Sequence, residues 1–344
     1  MDLLLSLPIA SYFFSTSLTS WSTSLNLLFF YMTWSTLVLS HSPLKVELYG
    51  VTALRLVFWL VPSLLFLLFD TLVPSLSETI KFNSSLPRLD SRTITKLVTL
   101  ALFNFGLETA LEFGSSLFLS TMLQEPVFRT STTLPLPWQM IKHIALLFTA
   151  REFLTYYIHR YLLHPPTTQA RKQTGGISTL HKNYAHNLRG PPFSLQLMCD
   201  HPLPFLLHRF LPLYIPALAL RKDLHVLTYF AFVGLATIEE TLSMSGYTVI
   251  PGIIMGGITR RNALHYCRPV GNFGCWGFLD WVHGTSLGND VVKDIKDEAR
   301  KHRLKERSAK KADDAGGMLQ NGVEGLRRSA RSRTGRKSNA NNGY

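Results

Sequence analysis

The sequence predicts an all-α integral membrane bundle of about four or more spanning helices, carrying a cytosolic histidine-rich helical cap. Three observations predict it. Mean hydropathy is positive, +0.13 over 344 residues, which is unusual for a soluble enzyme. Charged residues are 17% of the chain and are sparse until near residue 290. Four apolar stretches are each read as crossing a hydrocarbon core of about 30 Å.

The opening MDLLLSLPIASYFF has no basic n-region and no small-residue cleavage site, so it is read as retained. Leu25 to Leu39 is a soft first span, with Ser and Thr interspersed. Val51 to Val73 is stronger, interrupted only by Arg55, Pro62 and Asp70. Leu97 to Leu123 is the third and contains Glu108 and Glu112, four apart on one helix face, where packing or hydrogen bonding is the expected role. Trp138 to Leu163 is the fourth and ends at histidines. Pro202 to Leu220 and Leu224 to Val249 are further apolar segments. The first, with four prolines, is read as re-entrant or interfacial.

Charge sets the orientation. Lys81, Arg88, Arg92 and Lys96 crowd the loop between spans two and three, whereas Lys45 and Arg129 stand alone in the loops on either side. The positive-inside rule places residues 76–96 in the cytosol, together with the histidine region and the C-terminal tail. The sequon at Asn83 then faces the cytosol and is not expected to be glycosylated. Three regions follow: 1–137, membrane helices and loops; 138–289, the histidine-bearing domain; and 290–344, a basic tail. The net charge of +13 belongs mostly to that tail, where roughly fifteen Lys and Arg face about seven acids. A short amphipathic helix is expected to about Lys311, with disorder beyond. On a membrane protein the run RRSARSRTGRK suits anionic lipid headgroups, and no nucleic-acid partner is expected.

Cys199, Cys267 and Cys275 are odd in number and lack CxxC spacing, which argues against a disulfide framework or zinc ribbon. HExxH, GxSxG, a Walker loop and the ExxH motif of bundle-type di-iron proteins are all missing. The chemistry concentrates in REFLTYYIHRYLLHPPTTQARKQTGGISTLHKNYAHN, residues 151–187. His159 and His164 close an aromatic-rich helix, and His181 and His186 repeat the same spacing after a basic loop. Clustered imidazoles beside a membrane-grade helix point to a metal site. Residues five apart on a straight helix diverge by about 140°, so His164 must leave the helix, and Pro165 disfavours helical geometry there. His201 and His265 are further ligand candidates. Asp200 is either a support for a ligating imidazole or a helix cap. Glu239 and Glu240 are either metal-associated or paired with Arg260 or Arg261. Arg160 is read as a headgroup-level anchor.

The words HRYLLH (159–164), LHKNYAH (180–186), DHP (200–202), SGY (245–247), GNFG (271–274) and LDWVHGT (279–285) stand in an order that resembles the fatty acid hydroxylase superfamily, including sterol desaturases and C-4 methyl sterol oxidases. The spellings are most similar to its fungal branches. The resemblance spans roughly 140–287. It implies a multi-pass endoplasmic-reticulum membrane oxidoreductase with non-heme iron, two ions in the family. It also implies O2, a fatty acyl or sterol substrate in lipid biosynthesis, and electrons from cytochrome b5 or its reductase. The implied metal ligands are His159, His164, His181, His186, His201 and His265. Tyr184, Ala185, Met244, Asn262 and Tyr266 stand where the family pattern has histidine, so the donor set suffices for one ion or for a depleted pair. The competing readings are a non-catalytic lipid-binding homologue that has lost part or all of its metal site, and a transporter. The latter predicts paired inverted segments, which the sequence lacks.

Overall fold

The computed structural model describes residues 21–84, 90–165, 176–188, 190–249, 255–297 and 299–300. The N-terminal stretch 1–20, the basic loop after Pro165 and the tail beyond residue 300 lie outside the described residues. The chain divides into Met1–Val291 and Val292–Tyr344. In the second unit, described residues through 297 are helical.

The first unit is helical, and no strand occurs among the described residues. Helix α1 is Trp21–Ser40 and α2 is Pro43–Leu72; α3 is Pro74–Ile80 and α4 is Ser91–Leu123. Helix α5, Pro137–Ile158, runs into a π-helical turn, His159–Leu163. Helix α6 is Ile177–Tyr184. Helix α7 comprises Pro202–Phe205, a π-helical turn Leu206–Phe210, and Leu211–Ala219. Helices α8 (Val226–Ser243), α9 (Met255–Cys267) and α10 (Phe278–Val282) complete it.

Among the described residues three helices are long and apolar enough to cross a membrane: α2, α4 and α8. Helix α1 holds the shorter apolar stretch Leu25–Ser40. The sequence-predicted span Trp138–Leu163 falls on α5 and its π turn, which carry Lys142, Arg151 and Glu152 and are not among the three, whereas α8, within the apolar segment Leu224–Val249, is. Only 22% of the apolar window of α2 and 17% of that of α4 is buried, against 56% in α8. The first two therefore offer a lipid-facing apolar surface, whereas α8 is the central post.

The main core forms around α8, where Tyr229, Phe232, Val233 and Ala236 meet Val51, Phe128, Phe148 and Tyr214. A second cluster joins Trp59 and Ala101 to Phe193, Leu195, Met198 and Phe205. It seats the 3-10 turn Ser194–Met198 against α4. Inside this bundle Arg55 pairs with Glu108 at 3.1 Å and Glu112 at 2.6 Å, and Tyr229 donates to Glu112 at 2.6 Å. The two glutamates expected to serve packing or hydrogen bonding thus tie α2, α4 and α8 together. Charges survive in an apolar interior only when partnered in this way.

Three π-helical turns interrupt these helices, closed by i→i+5 bonds: Val61 N to Leu56 O, His164 N to His159 O, and Leu211 N to Leu206 O. In each case proline is the next residue: Pro62, Pro165, Pro212. Proline has no N–H for the i−4 carbonyl and crowds it, and a widened turn relieves both problems.

Candidate metal centre

The π turn at the end of α5 decides the geometry of the first histidine pair. A turn closed by i→i+5 bonds is wider than a regular one, so residues five apart diverge far less than on an α-helix. His159 and His164 face the same side, with ring centroids 5.0 Å apart. His164 has non-helical φ −124°, ψ 57°, as its position before Pro165 requires. His208 sits within the π turn of α7, and its ring lies 4.3 Å from that of His159.

Around them gather His181 from α6, His186 just past its end, and His265 from α9. His164 is 5.0 Å from each of His181, His186 and His265. His159 is 4.6 Å from His265. His159, His164, His186 and His265 each offer a ring nitrogen such that all four atoms lie within 4.8 Å of one another. His201, also expected as a ligand, is placed elsewhere. Its Nδ1 accepts from Leu203 N at 3.3 Å as the cap of α7, and its ring meets Tyr184 at 5.2 Å. The cap satisfies an orphan backbone donor, which explains the DHP spelling without a metal. His208 takes part in its stead.

The ring orientations are fixed from behind. His159 Nδ1 donates to Phe273 O at 2.9 Å and His265 Nδ1 to Gly271 O at 2.7 Å. His181 Nδ1 donates to Asp200 Oδ2 at 2.6 Å. Occupying Nδ1 sets the tautomer that leaves the Nε2 lone pair free, the support that metal-binding imidazoles use. Those Nε2 atoms, and those of His164, His186 and His208, are buried without a protein partner.

These bonds explain the framework words. GNFG supplies the two carbonyls. It is held in turn by Asp280 of LDWVHGT, which accepts from Phe273 N at 2.9 Å, Gly274 N at 2.8 Å and Thr285 Oγ1 at 2.7 Å. A Cβ on Gly271 would meet Thr285 O at 2.4 Å, so only glycine fits there. Asp200 is positioned by Asn104 of α4, whose amide donates to Met198 O and Asp200 O, both at 2.8 Å. Of the two roles open for Asp200, the structure gives it the support of His181; its Oδ1 also accepts from His201 N.

A cavity opens beside the imidazoles. His159, His181, His186, His208 and His265 line it, as do Met244, Asn262 and Tyr266. Glu239 and Glu240 line it too, held by Arg151 at 2.7 and 3.0 Å, with Arg209 also on Glu240. Burial pushes His265 down to about 4, opposed by the bond to Gly271, with the charge of His181 lowering it further. His208 is pushed down to about 3 by burial, then by His181, His265, Arg151 and Arg209. Burial and neighbouring imidazoles hold His164 and His186 well below the usual histidine range. Neutral imidazoles at neutral pH are the form that binds metal.

Residues 144–285 match the fatty acid hydroxylase family. The match carries the resemblance drawn from SGY, GNFG and LDWVHGT, and it encloses all six clustered histidines. It begins after α4, so the Arg55 ion pairs depend on residues that precede the family segment. The family indicates a lipid hydroxylase- or desaturase-type oxidoreductase. No solved structure matches the chain.

Proposed function

We propose that this protein is a membrane-embedded oxidoreductase that uses non-heme iron and O2 to hydroxylate, oxidise or desaturate a fatty acyl or sterol substrate. The observation that carries it is the convergence of six imidazoles whose buried Nε2 atoms find no partner in the protein. An unsatisfied buried polar atom costs about 1–3 kcal/mol, and a cluster of them makes sense as ligands awaiting an ion. An all-nitrogen imidazole set suits iron. His159, His164, His186 and His265 would hold it, and the ion would supply the activation of O2.

The chain's own residues do the rest. Phe273 O, Gly271 O and Asp200 keep His159, His265 and His181 in one tautomer and one orientation. The cavity receives the reacting part of the substrate and limits water around it, while the exposed apolar faces of α2 and α4 keep the chain among its lipid substrates. Hydroxylation places one atom of O2 in a C–H bond and releases the other as water, which requires two electrons and two protons. Cytochrome b5 or its reductase is the proposed electron source, reaching the centre from the cytosolic side of the endoplasmic-reticulum membrane. The competing reading, a lipid-binding homologue without catalysis, draws on Tyr184, Met244, Asn262 and Tyr266 at expected histidine positions.

The test is turnover of fatty acyl and sterol lipids by the iron-loaded full chain in nanodiscs with cytochrome b5, its reductase and NADH. The expected result is an O2-dependent product heavier by one oxygen or lighter by two hydrogens. An unchanged lipid pool with full iron occupancy would leave the non-catalytic reading.

A further inference from the structure

We propose that the centre holds one ion, not two, and that His186 completes its ligand set. This rests on the reading that the imidazoles take up iron at all. Ligand atoms on opposite sides of one ion lie roughly 4 Å apart. The four nitrogens of His159, His164, His186 and His265, all within 4.8 Å of one another, approach that arrangement.

His186 lies off the family pattern. Helix α6 ends at Tyr184, whose exposed ring turns outward onto His201. The chain turns at Ala185 and delivers His186 inward instead. Its ring lies 4.9–5.0 Å from those of His164, His181 and His265, and neither ring nitrogen has a protein partner. The displaced histidine thus restores a ligand that positions 184 and 185 do not provide.

A second ion would need donors of its own. His181 and His208 remain, their rings 6.2 Å apart. Where the family would add histidines, Asn262 instead donates to Met244 Sδ at 3.1 Å and Ser243 Oγ at 3.4 Å. Each carboxylate that could substitute is engaged: Asp200 on His181 and His201 N, Glu239 on Arg151, Glu240 on both Arg151 and Arg209. A second divalent cation would have to draw Glu239 or Glu240 away from a buried guanidinium and weaken that ion pair, an unfavourable exchange. The arginines have closed the second position.

The full chain, purified in nanodiscs and loaded anaerobically with Fe(II) alone, is measured for iron by mass spectrometry and, after addition of NO, by EPR. The expected result is one iron per chain with the S = 3/2 signal of an isolated ferrous–NO adduct. Two irons, or an EPR-silent coupled pair, overturns the proposal and leaves the oxidoreductase reading standing; no iron overturns both. His186→Ala is expected to lose the iron and His208→Ala to retain it, and the reverse pattern overturns the ligand assignment. Should His186→Ala fail to fold, the wild-type stoichiometry and EPR signal decide alone.

Discussion

Two buried polar clusters in this molecule are built in opposite ways. At the junction of α2 and α3, Asp70 accepts from Ser77 Oγ and Tyr247 Oη, both at 2.5 Å, and pairs with Lys81. Lys81 also lies over the Tyr247 ring, and Gly246 O accepts from Phe82 N at 2.9 Å. Both carboxylate oxygens are engaged by neighbouring side chains, and SGY, one of the family's framework words, serves here as a latch to the N-terminal helices. In the histidine centre, by contrast, the outward nitrogens of three rings are fixed while six Nε2 atoms are left open. Buried polar groups that satisfy one another hold a fold together. Buried polar groups held rigidly but unsatisfied hold a ligand.

The sharpest way to break this contrast is Lys81→Met, which leaves Asp70 charged and buried. A loss of about 3–5 kcal/mol is expected in denaturant titration, with most of it recovered in Lys81→Met/Asp70→Leu. A smaller loss in the single variant would mean that the latch is not structural.

Acid should separate the clusters next. The unfolded chain takes up protons near pH 6.5, but His265 and His208 resist them until about pH 4 and about pH 3. Their folded-state values lie below the unfolded one, so stability present at pH 7 is lost as the pH falls through that window. On the order of 2 kcal/mol per imidazole should disappear between pH 7 and 5 in the chelated protein, read as a falling unfolding midpoint.

Much of this was legible in the sequence, and what was not has particular physical causes. The apolar spans announced the helices. Yet Arg151 and Glu152 of α5, which read as charges interrupting an apolar stretch, are engaged inside the bundle by Glu239 and by Trp276 N, a fact of tertiary structure. His159 and His164 were visible as a pair. The turn that aligns them was only half visible, through Pro165, because propensity reasoning foresees a break at proline but not a π turn closed just before it. The same signal, Pro212 just past Leu211, could have drawn attention to His208. His201 drew attention instead, and proved to be a helix cap. Arg151 and Arg209 stand 88 and 31 residues from the carboxylates they hold, beyond the reach of any local pattern.

Smaller effects sharpen the account. Asp200→Asn removes the charged acceptor from His181 Nδ1; because His181 stands outside the four-nitrogen set, iron affinity is expected to fall by less than the roughly 10–100-fold that loss of a ligand's support brings. A fall of that full size in competition with a chelator would make His181 a ligand. Tyr247→Phe removes one of several bonds to Asp70 and should cost about 1 kcal/mol, with iron binding intact.

The central claim is that the converging imidazoles of His159, His164, His186 and His265, their Nε2 atoms left open, are metal ligands. X-ray absorption at the iron edge of the Fe(II)-loaded chain tests it most directly. The account predicts outer-shell scattering from about four imidazoles per iron, as the converging nitrogens require. A first shell of water or carboxylate oxygen without imidazole scattering would contradict it.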